Sequence, residues 1–365
     1  MKSIIEEIIK ASLRYPSGDN IQPWRFRIMK DDSVEIHCIW LEHKMDYHYF
    51  ISYVGLGVLL ETLKIQGIFR GVDMKTKVNY GIHAKVGENP WATVEFSHLK
   101  QGKNIQYELL PNPESFKRRF TDRRKYLNKD IPQSTLEKCM DFVNAKEGVS
   151  LHILQRPNFS KEFLSSMSKV DGEVFRDPEL LFDILQYCNL HEKNKNKLTG
   201  MPPESLALGQ LEVWLLKKTY DHKSLREFMS RYIFPNVLGR ELQSKVLCSS
   251  LIFSVEGDTD DEASLVKIGE TVGRIWPWLA GEGIVAQPLS VTSIFSWLVN
   301  TNRDDRVYLR DKIFRSDVED LLHSSCSVGL VSNKKNPFWS FRAGYPIDEN
   351  IVKVPRLGLD AVMIS

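Results

Sequence analysis

The chain has 365 residues, of which 42% are hydrophobic and 26% are charged, and its 49 Lys and Arg nearly balance its 47 Asp and Glu. This composition is typical of a globular protein, and the length predicts two domains or one large domain. The formal net charge of +2 gives no support for a broad nucleic-acid or membrane surface.

Cysteine and histidine spacing argues against a metal site or a disulfide framework. There is no C-x-x-C or H-E-x-x-H, and His43-x-x-Asp46-x-His48 fits no standard ligand spacing. The N-terminus reads as an amphipathic helix rather than a leader, and we expect no apolar run of about 18 residues that could span a membrane. We therefore expect a reduced, cytoplasmic protein without metal. The five scattered cysteines are Cys38, Cys139, Cys188, Cys248 and Cys326.

The first 110 residues alternate between helical and strand periodicity. Apolar residues at helical spacing run to about Arg14, where Pro16 ends the helix, and a hairpin follows between Trp24 and Cys38. An apolar helix is predicted from Ser52 to Arg70, with small residues that would let another helix approach closely, and a strand is predicted around Val94. Those small residues are Gly55 and Gly57.

Pro111-Asn112-Pro113 is the best boundary, which gives an N-terminal half of residues 1–112 and a C-terminal half of residues 113–365. A helix is predicted from about Asp258 to Gly281, with a break at Pro277. Residues 190–245 are read either as a mobile cover over a pocket or as a surface helical insertion. In this half we predict strands at 149–154, 246–255 and 327–331, and extended tails at 338–345 and 353–359.

The loop between the first helix and the hairpin is rich in hydrogen-bonding side chains. Ser17, Asp19, Asn20 and Gln22 crowd a few residues. One reading is an ordinary turn, because these residue types favour turns. The other is a binding loop, since carboxamides offer both donors and acceptors to a planar heterocycle.

A strongly basic segment follows the proposed boundary, at residues 116–126. It could be a solvated basic patch. Alternatively it is an anion cradle, because Arg119, Thr121 and Arg123 at alternate positions put two guanidinium groups and a hydroxyl on one side of an extended segment. Gly281-x-Gly283-x-x-Ala286 matches a dinucleotide fingerprint formally, but it follows a helix rather than a strand, so that reading fails.

Residues 16–24, Pro-Ser-Gly-Asp-Asn-Ile-Gln-Pro-Trp, resemble the Pro-Ser-x-x-Asn-x-Gln-Pro-Trp motif of the FMN-dependent nitroreductase family. Arg119-x-Thr121-x-Arg123 is similar to the element that holds the FMN phosphate in that family, Glu282-Gly283 to a segment beside the flavin, and Arg356 to a C-terminal arginine that returns to the phosphate. The resemblance implies a flavin site made by Pro16, Ser17, Gly18, Asn20, Gln22, Arg119, Thr121, Arg123, Glu282, Gly283, Lys353 and Arg356.

The order of these motifs differs from the usual family pattern, because the phosphate element follows the N-terminal loop and neither element occurs twice. The resemblance therefore implies an α+β, nitroreductase-like fold with two related halves in one chain, a pseudo-dimer with one composite FMN site. The chain is expected to be a monomer or a weak homo-oligomer.

The implied activity is hydride transfer from NADH or NADPH through FMN to a small acceptor such as a nitroaromatic or a quinone. No catalytic side chain is expected, since the flavin carries the chemistry. One alternative is an FMN storage protein whose pocket is closed by residues 190–245. Another is a protein without flavin, in which the basic segment contacts phosphate or nucleic acid.

Overall fold

The structure is a computed structural model that describes residues 1–39, 47–81, 89–100, 102, 105–144, 146–191, 197–301, 312–350 and 352–364. Its architecture is α+β, as predicted. The first part of the chain forms α1 (Lys2–Ser12), β1 (Trp24–Ile28), β2 (Ser33–Cys38), α2 (Tyr47–Ile68), β3 (Val72–Val78), β4 (Ala92–His98) and α3 (Pro113–Arg118).

Short 3-10 turns occur along the whole chain, at Gly18–Asn20, Tyr107–Leu109, Arg156–Asn158 and Pro203–Leu206. The second part of the chain is longer than the first because five helices separate its first two long strands. The elements are β5 (Tyr126–Leu127), α4 (Gln133–Asn144), β6 (Val149–Gln155), α5 (Lys161–Val174), α6 (Pro178–Gln186), α7 (Gln210–Asp221), α8 (Lys223–Tyr232), α9 (Phe234–Leu247), β7 (Leu251–Gly257), α10 (Glu262–Gly281), β8 (Val285–Pro288), α11 (Ser290–Thr301), α12 (Lys312–Ser327), β9 (Phe338–Pro346) and α13 (Leu359–Val362).

The two antiparallel sheets share one strand order. The first sheet runs β1-β2-β4-β3, and the second runs β6-β7-β9-β8, with β5 also paired to β9. Along the chain, helix α2 lies between β2 and β3, and helix α10 lies between β7 and β8. Each sheet therefore has a long helix after its second long strand in sequence. The end of the chain also adds to the first sheet, since Met363 bridges to Phe26, and Thr121, between α3 and β5, bridges to Ala286 of the second sheet.

The two long helices pack against each other through glycines. A Cβ added at Gly57 would lie 2.0 Å from the Val266 carbonyl oxygen, and one at Gly269 would lie 2.0 Å from the Val54 carbonyl oxygen. The close approach predicted for the small residues of α2 is therefore confirmed at Gly57. Gly55 is not part of the contact between α2 and α10, because a Cβ there would meet nothing within 4 Å.

Helix α2 is apolar enough to resemble a membrane span, contrary to our expectation that no such run exists. Residues Tyr49–Ile68 meet the length and composition of a spanning helix, but 72% of the apolar window is buried inside the protein. Burial of this kind is typical of a core helix. One hydrophobic core runs across both sheets and includes side chains from α2, α10 and the central strands.

Four predictions about the second half are wrong in their details. Residues 246–247 end α9, so the strand begins only at Leu251, and residues 328–331 form a turn rather than a core strand. The predicted tail at 338–345 is β9, which is central in its sheet. Helix α10 continues through Pro277 to Gly281, because its flanking turns are held by packing on buried neighbours.

The α5–α9 interface contains a carboxyl group whose burial should affect stability. Burial raises the pKa of Asp171 from 3.8 to about 7, Lys245 opposes the increase, and Glu241 adds to it. The folded state therefore holds a proton that the unfolded chain has released, so this group's contribution to stability is present below pH 3.8 and is lost as the pH rises through about 7.

Asp171→Asn should remove this pH dependence. Because Asp171 keeps partial solvent contact, we expect the variant to be about 1–2 kcal/mol more stable than the native protein at pH 8, with no gain near pH 4. Urea unfolding at both pH values measures the difference. The exposed Asp141→Asn serves as the control, and an equal gain at both pH values would contradict the assignment.

Candidate functional site

The loop that joins α1 to β1 is strained over a few residues. Asp19, Asn20 and Gln22 have φ angles of 46°, 54° and 53°, which lie in the left-handed region. Each such non-glycine conformation costs on the order of 1 kcal/mol and persists only where surrounding contacts enforce it. Here the Ser17 hydroxyl oxygen accepts the Gln22 backbone N–H at 3.0 Å. Strain of this kind is a reason to look for function at the loop.

The carboxamides of this loop bind two distant segments of the chain. Asn20 Nδ2 donates to the carbonyl oxygens of Gly200 at 2.9 Å and Pro355 at 3.1 Å, and the Asn20 side-chain oxygen accepts from Arg356. Gln22 Nε2 donates to the Leu198 carbonyl at 2.7 Å, while its oxygen accepts the Leu357 N–H at 2.8 Å. The loop thus clamps residues 198–200 and 355–357 together.

Beside this loop lies a small pocket of about 60 Å³ lined largely by cations, which we call the cationic pocket. It brings together the N-terminal loop, the basic segment and the C-terminal segment, as the motifs predicted. Its lining residues are Arg14, Pro16, Ser17, Asp19, Asn20, Arg119, Phe120, Thr121, Arg123, Met201, Val352, Lys353, Val354 and Arg356.

Arg119 is the least compensated group in the cationic pocket. Its side chain is 6% exposed, one guanidinium nitrogen donates to the Arg14 carbonyl at 2.8 Å, and its Nε is buried without an acceptor. The guanidinium lies 4.7 Å from the centre of the Trp276 ring. Burial, and then the charges of Arg356 and Arg14, hold the pKa of Arg119 well below its usual value.

Arg356 is in a similar situation, since burial lowers its pKa to about 10, with Tyr15 opposing and Arg14 adding to the shift. Among the described residues, no carboxylate lies within ion-pair distance of Arg14, Arg119 or Arg356. Like charges held together without a counter-ion are unfavourable unless a ligand supplies the negative charge. The arrangement therefore has the chemistry of a site for a small, highly charged anion.

The cationic pocket adjoins a larger cavity of about 370 Å³, which we call the apolar cavity. The two share Pro16, Ser17, Asp19, Thr121, Arg123 and Met201. The remaining lining comes from the N-terminal loop, α2, β8, β9, α10, α11 and the segment between β6 and β7: Gly18, Ile51, Val54, Gly55, Val58, Val174, Phe175, Leu180, Ile184, Cys188, Leu206, Val272, Trp276, Gln287, Pro288, Ser290, Val291, Ile294, Phe295 and Trp339.

Asp19 and Arg123 stand where the two spaces meet. Arg123 donates to the Ser205 carbonyl at 3.0 Å and to the Met201 sulfur at 3.1 Å, so its guanidinium is partly engaged with the segment above the cavity. Burial raises the pKa of the Asp19 carboxyl, and Arg123 opposes the increase. The junction therefore carries one acidic side chain, Asp19, and one cationic side chain, Arg123, at the wall of an otherwise apolar space.

The segment between β6 and β7 lines part of the apolar cavity, but only its residues Met201 and Leu206 fall within the predicted range of 190–245. The other lining residues of this segment lie at 174–188, and α7 to α9 contribute none. The helices have a small core of their own: Leu181, Leu185, Cys188, Leu190, Met201, Met229 and Phe234. The region is helical and contributes residues to the cavity wall. That it is a surface insertion or a mobile cover stays a prediction.

Glu282 and Gly283 line neither of these two spaces, contrary to the site inferred from the resemblance. They end α10: Gly283 has φ +75°, and the Ile284 N–H donates to the Leu279 carbonyl at 2.9 Å. Glycine in this conformation is the usual residue just past a helix end. Gln287 and Pro288, at the end of β8, reach the apolar cavity instead.

Arg14, Trp276 and Met201 are among the lining residues that were not predicted. Arg14 lies in the turn after α1, which ends at Ser12, and a cation close to a helix end was the only available signal. Trp276 precedes Pro277 in α10, and Met201 lies between β6 and β7. Their positions depend on how distant helices pack, which periodicity does not reveal.

No metal site is found in the part of the chain that the structure describes, as no group of three or more His, Cys, Asp or Glu side chains there could hold an ion. His43 and Asp46 of the excluded histidine pattern lie outside the described residues, and nothing is described of the His48 side chain.

Comparison with known proteins gives structural matches only. No family profile matches the chain, and no curated protein matches it significantly. The FMN- and NADPH-dependent nitroreductase NfnB from sphigopyxis sp. strain HMH is similar at 12% identity and a TM-score of 0.34, over 69% of this chain and 97% of that one.

The FMN-dependent nitroreductase NfnB from Mycobacterium smegmatis, in complex with NADPH, is similar at 12% identity and a TM-score of 0.33, over 69% of this chain and 96% of that one. Scores of this size do not establish a shared fold. The functional assignment of this chain therefore depends on its own site.

Proposed function

We propose that this chain is an FMN-dependent oxidoreductase that takes hydride from NADH or NADPH and passes electrons to a small acceptor, such as a nitroaromatic or a quinone. The observation that carries the proposal is the buried Arg119, whose Nε lacks an acceptor, beside Arg14 and Arg356 in a pocket that opens into an apolar cavity. A ligand with a dianionic phosphate at one end and a flat ring system at the other matches both spaces.

The residues present fit FMN. Arg119 and Arg356 would hold the phosphate as convergent charge-assisted donors, with Arg14, Thr121 and Lys353 at the rim. The volume of the apolar cavity, about 370 Å³, falls in the range of small-molecule sites. Trp276 would form part of the ring pocket, since it lines that cavity and lies under the Arg119 guanidinium.

When bound, FMN supplies the hydride and electron transfer chemistry, so the protein need provide no nucleophile. The chain's own residues bind and orient the cofactor and keep water out of the cavity. Residues within 174–188 and 201–206 form part of the cavity wall. Asn20 and Gln22 hold that wall and the C-terminal segment in place through the carbonyls of residues 198, 200 and 355. Their direct contact with the flavin stays a prediction.

We further propose that residues 1–112 and 113–365 are two related halves that together make one composite FMN site, so that the chain is a pseudo-dimer acting as a monomer or weak homo-oligomer. The shared strand order of the two sheets supports this, as does the end of the second half, which bridges to the first sheet between Met363 and Phe26. A cytoplasmic location is part of the same proposal.

A second function, storage of FMN in a closed pocket, is favoured by one observation. The carbonyl oxygens of Leu198 and Gly200 are bound by the N-terminal loop, and residues within 174–188 and 201–206 line the cavity, so this segment is tied down beside it. A cover that does not open would deny NADPH and acceptors access to the ring.

Two spectra separate these functions. The purified protein should show the visible absorption bands of bound flavin, and anaerobic mixing with NADPH or NADH should bleach them much faster than it bleaches free FMN at the same concentration. Flavin that remains oxidised would favour storage over catalysis. Protein that is colourless and does not bind added FMN would contradict both.

A further inference from the structure

Arg342 is a buried arginine that has no carboxylate partner among the described residues. It is 0% exposed, and its guanidinium lies 4.1 Å from the centre of the Tyr126 ring. Every nitrogen of the guanidinium has an acceptor, so the group has little freedom to move. Its Nη1 donates to Ser249 Oγ and the Lys245 carbonyl, both at 3.3 Å, and its Nη2 to the carbonyls of Arg124 at 2.7 Å and Asp122 at 3.4 Å.

The remaining donor of this arginine fixes one side chain of the apolar cavity. Arg342 Nε donates to Gln287 Oε1 at 2.8 Å, and the two residues are directly opposite in the β8–β9 pair. A guanidinium can only donate, so the carboxamide atom that faces it must be the oxygen. The Gln287 amide is therefore held in one orientation, with its NH₂ group turned away from Arg342.

The NH₂ group of Gln287 has no acceptor among the described residues, although the side chain lines the apolar cavity. The amide nitrogen is not among the fully buried atoms that lack a partner, so its N–H groups face accessible space at the cavity wall. The matching acceptor would come from whatever occupies the cavity.

We propose that Gln287 is a ligand-binding residue that donates its amide hydrogens to an acceptor atom on the bound ring system, and that Arg342 is the positioning residue that sets the direction of this donation. This rests on the proposed function, in which the ring system is that of FMN, whose carbonyl oxygens and ring nitrogens are acceptors. The donation would select ligands with such an atom at this wall over purely hydrocarbon ones.

Gln287→Glu is the most informative variant. It preserves the size of the side chain and can still accept from Arg342, but it presents a carboxylate oxygen to the cavity where the native residue presents donors. We expect the Kd of FMN to rise about ten- to a hundredfold, because a donor is lost and an acceptor faces an acceptor. Gln287→Met, which removes the polarity without adding charge, should give a smaller loss.

A contact with the ring should also change its electronic properties, which a merely structural role would not. We expect the visible absorption bands of FMN bound to Gln287→Glu to shift, and its midpoint potential to become more negative, since a nearby negative charge disfavours the electron-rich reduced ring. Gln133→Glu, an exposed glutamine at the start of α4, is the control for added charge. Thermal melting of the FMN-free proteins reports whether each variant folds.

The outcomes are distinct. If the native protein binds FMN and folded Gln287→Glu binds it with the same Kd and the same spectrum, the role of Gln287 is refuted while the proposed function stands. If the native protein binds no FMN, the proposed function fails and this inference fails with it. Arg342→Lys, provided that it folds, should reproduce the weakened binding because the carboxamide is then free to turn.

Discussion

Replacement of Arg119 with methionine is expected to raise the Kd of FMN about a hundredfold, since each charge-assisted hydrogen bond to a buried anion contributes roughly 1.5–3 kcal/mol. In FMN-free protein the same change should increase stability. Arg119 is buried beside Arg14 and Arg356 without a carboxylate partner, and an apolar side chain of similar length would remove that repulsion and still pack against Trp276. We expect a gain of about 1–2 kcal/mol in the free energy of unfolding.

Titration of apoprotein with FMN measures the first effect, and urea unfolding without FMN measures the second. Arg118→Met is the matched control, because Arg118 is the adjacent residue but is exposed and lies outside the cationic pocket. Inorganic phosphate should raise the Tm of the native protein and of Arg118→Met, but not that of Arg119→Met. A loss of FMN affinity accompanied by an equal loss of stability would indicate that Arg119 is a structural residue rather than an anion ligand.

The cationic pocket shows which parts of a site residue types can predict. Pro16, Ser17 and Asn20 of the N-terminal loop, the alternating Arg119, Thr121 and Arg123, and Arg356 were identified by their chemistry, and they line one pocket, whereas Gln22 lines neither space. Their internal partners could not be predicted. The carboxamides of Asn20 and Gln22 bind backbone carbonyls and N–H groups from residues nearly two hundred or more positions away, which no local pattern encodes.

Glu282 and Gly283 illustrate a different limit. Gly281 and Gly283 at the end of a long helix are compatible with a simple helix end and with a backbone that approaches a ligand, and the positive φ of Gly283 is the one found just past a helix end. The cavity-facing residues come four and five positions later, where β8 ends. Sequence alone does not distinguish these outcomes, because both need a residue without a side chain.

Strand β9 shows the same limit for the fold. Local alternation was enough to predict the β1–β2 hairpin, whose register joins residues close in the chain. Strand β9 instead pairs with β7, β8 and β5, and it carries a buried arginine in an otherwise core-facing run, so it resembles neither an alternating nor a continuous apolar strand. Its place at the centre of the sheet is set by partners that lie from about 50 to more than 200 residues away in sequence.

Gly57→Ala is expected to destabilise the protein by about 3 kcal/mol or more, because the new Cβ would lie 2.0 Å from the Val266 carbonyl oxygen and 2.8 Å from the Glu270 backbone nitrogen. Both contacts are with the backbone of the opposite helix, so no change of rotamer can relieve them. Helices α2 and α10 would have to move apart. Since Val54 and Val58 of one helix and Val272 and Trp276 of the other line the apolar cavity, its shape would change too.

Gly55→Ala is the matched control, two residues earlier on the same helix. A Cβ at Gly55 would meet nothing within 4 Å, and replacing a helical glycine with alanine stabilises by about 0.5–1 kcal/mol where space allows. Urea unfolding should therefore move in opposite directions for the two variants. Because Gly55 itself lines the apolar cavity, Gly55→Ala is a control for stability and not for FMN affinity. Similar unfolding curves for both would mean that the two long helices are farther apart than the structure places them, and the cavity between them would then need a different description.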